Sequence, residues 1–115
     1  MSTHLPRVYV AFNEQFPDVA EAHGALARTI RERSPFDERT ERLLTLALAI
    51  GAQAEGAVRS NVRKALEHGA TADQIQAVAL AAITTCGFPT AMAGLRWIDE
   101  VLGTQDDESA GSDPA

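Results

Sequence analysis

Four ionisable side chains, Glu55, Arg59, Arg63 and Glu67, recur at intervals of four in the middle of the chain, and a carboxamide, Asn61, falls between them. On a helix, residues four apart are neighbours, so each acid is within ion-pairing reach of an arginine. Asn61 belongs to a different row, with Ala54, Ala57, Val58, Val62, Ala65 and Leu66, at the three-and-four spacing of an apolar helix face. A single amide in a wall of small side chains can give and accept hydrogen bonds but cannot titrate. Glu55, the carboxylate nearest that wall, could carry a proton if burial raised its pKa. Paired with Arg59 it would instead be an ordinary helical ion pair. Arg59 and Arg63 together could hold an anion, or serve as solvated partners of Glu55 and Glu67. Asn61 likewise reads either as a donor aimed at a carboxylate or carbonyl, or as an amide satisfied by the backbone.

These residues need helices to position them. Leu43 to Ala52 contains no charge and has apolar residues on every side, the pattern of a central helix covered all round. Gly51 and Gly56 mark an elbow into the helix that carries the charged row, and Gly69 closes that helix. Upstream, Leu5, Val8, Tyr9, Phe12 and Phe16 share a face of a short leading helix ended by Pro17. Asp18 is placed to cap the next, whose stripe is Val19, Ala22, Leu26 and Ile30, with Arg28, Arg31 and Arg33 toward its end. Asp37 is placed to cap the central helix. Thr71 and Gln74 form a capping box that starts a fifth helix lined by Ile75, Val78, Ala79, Ala82, Ile83 and Cys86. Gly87-Phe88-Pro89 turns into a sixth helix, which ends near Gly103. Ala and Leu dominate and β-branched residues are sparse, so the chain is expected to be all-α, with about six helices and no strands.

The chain has 115 residues, enough for one small domain, placed at residues 1–103. Residues 104–115 hold Asp106, Asp107, Glu108 and Asp113 and no base. They read as an acidic, disordered tail that accounts for all but −2 of the net charge of −6. Such a surface does not suit nucleic acid. The longest uncharged run, Leu43 to Gln53, is too short to span a bilayer, and no secretory signal is visible, so a soluble cytoplasmic protein is expected. Neither a metal site nor a cofactor is indicated: His4, His23 and His68 lack ligand spacing, and no phosphate loop or dinucleotide fingerprint occurs. Cys86, the single cysteine, reads as a core thiol. Several helices are apolar on more than one side, which predicts self-association.

Three segments, ERLLTLALAIGAQAEGAV, VRKALEHGATADQI and ITTCGFPTAMAGLRWIDEVL, make the chain similar to the carboxymuconolactone decarboxylase family, which shares an all-helical fold with alkyl hydroperoxidase D. The resemblance spans roughly Leu5 to Gly103 and implies a bundle that assembles as a trimer or hexamer. The peroxidase branch has a Cys-x-x-Cys and, four residues on, a His. Aligned through Ala65 and Gly69, those positions are Ala54, Ala57 and Asn61. Alanine supplies neither the attacking nor the resolving thiol, so peroxide reduction is not expected. The decarboxylase branch usually has His at the position of Asn61, and often another at Arg59. The peroxidase relay Glu falls on Arg42, with Glu41 one step off. The resemblance thus implies a decarboxylase-like protein acting on a small carboxylated or carbonyl compound, with Glu55 and Asn61 as candidate catalytic residues and Arg59 and Arg63 as candidate substrate-binding ones. Its alternative is a degenerate, non-catalytic oligomer that binds a metabolite or partner.

Overall fold

A computed structural model describes the backbone of residues 7–112 and the side chains of residues 7–104. Leu5 and His4 lie outside these. The described residues form six α-helices and no strand. They divide into two units, residues 1–35 and residues 36–115.

The first unit is a pair of helices, α1 (Arg7–Gln15) and α2 (Pro17–Arg33), packed on one another. Pro17 is the first residue of α2, where its missing N–H costs nothing and its fixed φ suits the helix. Phe16 is therefore the N-cap, and Asp18, two positions later, does not cap as the sequence suggested. Its carboxylate accepts from the Val19 N–H, 2.9 Å away, and lies in the first turn, where an anion suits the helix dipole. No residue of α1 or α2 is buried.

The second unit is a four-helix arrangement: α3 (Glu38–Gly51), α4 (Glu55–Glu67), α5 (Ala72–Cys86) and α6 (Phe88–Ser112). Here α3 touches each of the other three. Leu46, Ile50, Val58, Val62, Ile75 and Ile98 are its fully buried large side chains. Central position does not mean complete cover, however. Leu44 and Leu48, one turn apart on α3, are 41% and 64% exposed. α6 lies so close to α3 that a β-carbon on Gly94 would stand 2.9 Å from Ile50 Cγ2. The helical backbone of α6 continues to Ser112 instead of stopping near Gly103. Residues 104–110 contain no proline or glycine to break it, and Gln, Glu and Ala favour helix.

The helix starts follow the sequence closely. Asp37 caps α3 by accepting the Thr40 N–H at 2.8 Å, and Thr71 and Gln74 form the reciprocal capping box of α5. Two ends share one geometry. After α4, Ala70 N–H reaches Ala65 O and Gly69 N–H reaches Leu66 O, with Gly69 at φ 91°. After α3, Ala54 N–H reaches Ala49 O and Gln53 N–H reaches Ile50 O. The left-handed residue there is Gln53, at φ 55°, and not Gly51 or Gly56, which lie within helices. The Gln53 side chain donates to Thr90 Oγ1 across the elbow, 3.1 Å away.

No helix of the described residues is long and apolar enough to cross a membrane.

Candidate functional site

The register of α3 against α4 decides what the amide can do. Thr45 faces Asn61, and Glu38 faces His68, so the two helices run antiparallel from the elbow. Asn61 is half-buried. Its Oδ1 lies 3.0 Å from the Thr45 hydroxyl, and its Nδ2 donates to the Ala57 carbonyl at 2.9 Å. Thr45 has one proton to share among Asn61 Oδ1 and the carbonyls of Glu41 and Arg42, both 3.1 Å away. The amide oxygen and one amide hydrogen are thus engaged within the protein, which leaves one N–H for anything else.

The charged row faces another way. Arg59 is two positions from Asn61, so the two side chains leave α4 toward different neighbours. Arg59 reaches α6: its Nε and Nη2 donate to Glu100 Oε2 at 3.0 and 2.6 Å, while Nη1 pairs with Glu55 Oε2. These hydrogen bonds, first to Glu100 and then to Glu55, raise the guanidinium pKa above its already high ordinary value and fix it as a cation. The cluster carries two negative charges on one positive. Glu55 is 54% exposed, Glu100 48% and Arg59 27%. Of the row expected on α4, only the Glu55–Arg59 rung forms; among the described residues Arg63, which is half-buried, makes no ion pair with Glu67.

Arg42 and Glu41 lie elsewhere. Arg42 sits toward the far end of α3 from the elbow, with Nε 3.6 Å from Glu38, whose carboxylate is also 3.7 Å from His68 Nε2. The Arg42 side chain is 15% exposed, and its Nε is buried with no hydrogen-bond acceptor. Counting back from His68 to Glu55 along α4 at ~1.5 Å per residue, this group is about 20 Å from the elbow carboxylate. Cys86 corrects the expectation of a core thiol. It is exposed, at the end of α5, where its sulfur lies 3.5 Å from where a β-carbon on Gly51 would stand. Four residues after Ala82 it continues the face of Ile75, Ala79 and Ala82, but as the last residue of its helix it is exposed.

Two residues of these clusters escaped the sequence reading. Thr45 did carry a signal, as the one hydroxyl in the otherwise apolar run from Leu43 to Ala52. Glu100 carried none, since nothing local links it to Arg59, 41 positions earlier.

A model of the carboxymuconolactone decarboxylase family matches residues 17–100, from the first residue of α2 into α6. The chain belongs to the carboxymuconolactone decarboxylase family. An uncharacterized protein of Methanocaldococcus jannaschii is 32% identical to it over 89 residues, 77% of this chain and 83% of that protein. The family match takes in Thr45, Glu55, Arg59, Asn61, Arg63 and Glu100 together. Within this family member, then, the elbow helix presents two separate polar groups, an amide turned to α3 and an ionic triad turned to α6.

Proposed function

We propose that this carboxymuconolactone decarboxylase-family protein binds a small carboxylated or carbonyl compound at the α4 surface, through Arg59 and Arg63, without decarboxylating it. The observation that supports binding over turnover is the state of the two groups best placed to act. Asn61, at the position where the resemblance puts a histidine, cannot titrate and is tied to Thr45 and Ala57. Glu55 is paired with Arg59 on an exposed surface. Arg63, one turn from Arg59, brings a second guanidinium for a ligand carboxylate, and two of the five N–H groups of Arg59 remain outside the triad.

One observation favours a second reading, in which the protein is a proton-transfer enzyme. Glu100 takes two nitrogens of Arg59 and Glu55 takes one, so a substrate carboxylate arriving at Arg59 would displace Glu55 first and free it as a base. Thiol-dependent hydroperoxide reduction is disfavoured by Ala54 and Ala57, since the single cysteine, Cys86, has no resolving partner in the chain.

A panel of carboxylated γ-lactones, followed by NMR shift perturbation and by release of carbon dioxide, separates these readings. Binding that is lost in Arg63→Gln, with no carbon dioxide formed, fits the first. Carbon dioxide release that is abolished by Glu55→Gln fits the second, and absence of both binding and turnover sinks both. Asn61→His adds two heavy atoms at a half-buried position and should fold, at a cost of ~1–3 kcal/mol. Should it confer turnover, the rate will follow an ionisation near the ordinary histidine value of about 6.5.

A further inference from the structure

We propose, resting on the reading of Arg59 and Arg63 as a ligand's anchors, that Glu100 makes this site select compounds with one carboxylate over the same compounds with two. Two arginines one turn apart on α4 would by themselves suit a dianion, with one carboxylate for each guanidinium. The packing of α6 removes that match. Glu100 Oε2 takes the Nε and Nη2 hydrogens of Arg59 at 3.0 and 2.6 Å, and Glu55 Oε2 takes one from Nη1. Arg59 thus has one carboxylate more than it can neutralise.

Arg63 is the opposite case. It is half-buried, and among the described residues it makes neither an ion pair nor a hydrogen bond. Glu55, Arg59, Arg63 and Glu100 together sum to zero, so the first carboxylate of a ligand brings the local charge to −1. A second carboxylate on the same small molecule would then face a net negative surface, to which Glu67, one turn past Arg63, only adds.

The two acids of the triad differ in how firmly they stay. Glu55 holds Arg59 through one nitrogen and is 54% exposed, so it can turn into solvent when a ligand takes Nη1. Glu100 holds two nitrogens from a neighbouring helix and remains beside the bound ligand. Its charge is therefore the one that a dianion cannot avoid. Over the ~5–6 Å between neighbours on a helix, and with solvent keeping the effective dielectric well above ~20, one such charge weakens a dianion by roughly three- to tenfold.

NMR titration of the full-length protein at neutral pH tests this with a γ-lactone that bears two carboxylates and with each of its two monomethyl esters. An ester differs from the diacid by a single charge and a methyl group. Wild type should bind the better ester about three- to tenfold more tightly than the diacid, and the gap should narrow in ~0.5 M sodium chloride. Glu100→Gln keeps an acceptor for Arg59 while removing the charge, and should bring the two affinities level. Glu100→Ala, at the same exposed position, gives the comparison should the glutamine variant lose helicity by circular dichroism. A wild type that binds the diacid as tightly as the esters overturns the proposal and leaves the site reading standing. So does a Glu100→Gln variant that weakens all three compounds alike and keeps the preference, the behaviour of a purely structural residue. An equal levelling in Glu55→Gln would take the selectivity away from Glu100. If none of the three compounds binds, the Arg59–Arg63 site itself fails, and this proposal with it.

Discussion

At the scale of single residues, the protein is held by polar groups whose partners differ in reach. Asp37 is the local kind. Its carboxylate is held below the ordinary range mainly by the Thr40 N–H, and because the folded pKa is depressed, its contribution is present above the ordinary value of 3.8 and is lost as pH falls through the lower folded value. Urea midpoints of wild type and Asp37→Asn should therefore differ by a constant amount from pH 7 down to about 4 and change relative to one another only below that. A difference that drifts between pH 5 and 7 would mean that the cap is not the group responsible. Arg59 is the long-range kind. Its pairing with Glu100 joins α4 to α6, yet with Arg59 27% and Glu100 48% exposed the pair is worth no more than about 1 kcal/mol, so its importance lies in orienting the guanidinium.

At the scale of elements, helix ends and helix crossings set the geometry. α3 and α4 finish in the same hydrogen-bonded turn, one with Gln53 in the left-handed position and the other with Gly69. An L side chain in that conformation costs about 1–2 kcal/mol. Gly69→Ala should accordingly lower stability by about 1 kcal/mol, while Gln53→Gly should leave it unchanged or raise it by up to ~1 kcal/mol, even with the exposed bond to Thr90 removed. Paired thermal melts decide it, and a large loss in Gln53→Gly would show that the side chain, not the backbone, holds the elbow. The α3–α6 crossing is a steric matter. A methyl group at Gly94 would meet Ile50 Cγ2 at 2.9 Å and Cγ1 at 3.0 Å, so Gly94→Ala should cost ~1–3 kcal/mol. Ile50→Ala removes both atoms, and the double variant should be less destabilised than the sum of the two single changes. Simple additivity would mean the helices separate instead of clashing.

At the scale of the whole molecule, the surplus of exposed apolar side chains on both units, from Val8 to Phe88, calls for self-association. We expect a trimer or hexamer at micromolar concentration by light scattering; a monomer would leave Leu48 and Val8 facing water for no evident return. The same surplus bears on stability, because an oligomer's unfolding midpoint rises with protein concentration while a monomer's does not.

The sequence by itself determined the helices and most of their ends, because those depend on neighbours a few residues apart. Aspartate before α3, the Thr71–Gln74 box and Gly69 each satisfy a backbone group within one turn, whereas at α2 the expected Asp18 cap gives way to Phe16, with Pro17 as the first helical residue. Glu55 with Arg59 was legible for the same reason, being one turn apart. What periodicity could not supply was which neighbour each face meets. It marked Asn61 as an amide in an apolar wall but not that Thr45 would take its oxygen, and it set Arg59 beside Glu55 without Glu100 from a helix 41 positions on. It placed Cys86 on the face of the buried stripe, yet at the end of α5 that face is exposed. Nor could it tell a helix that is central from one that is covered, since Leu44 and Leu48 have the composition of a core and stand exposed. Contacts across the bundle depend on how helices cross and slide along one another, and only the tertiary structure sets that register.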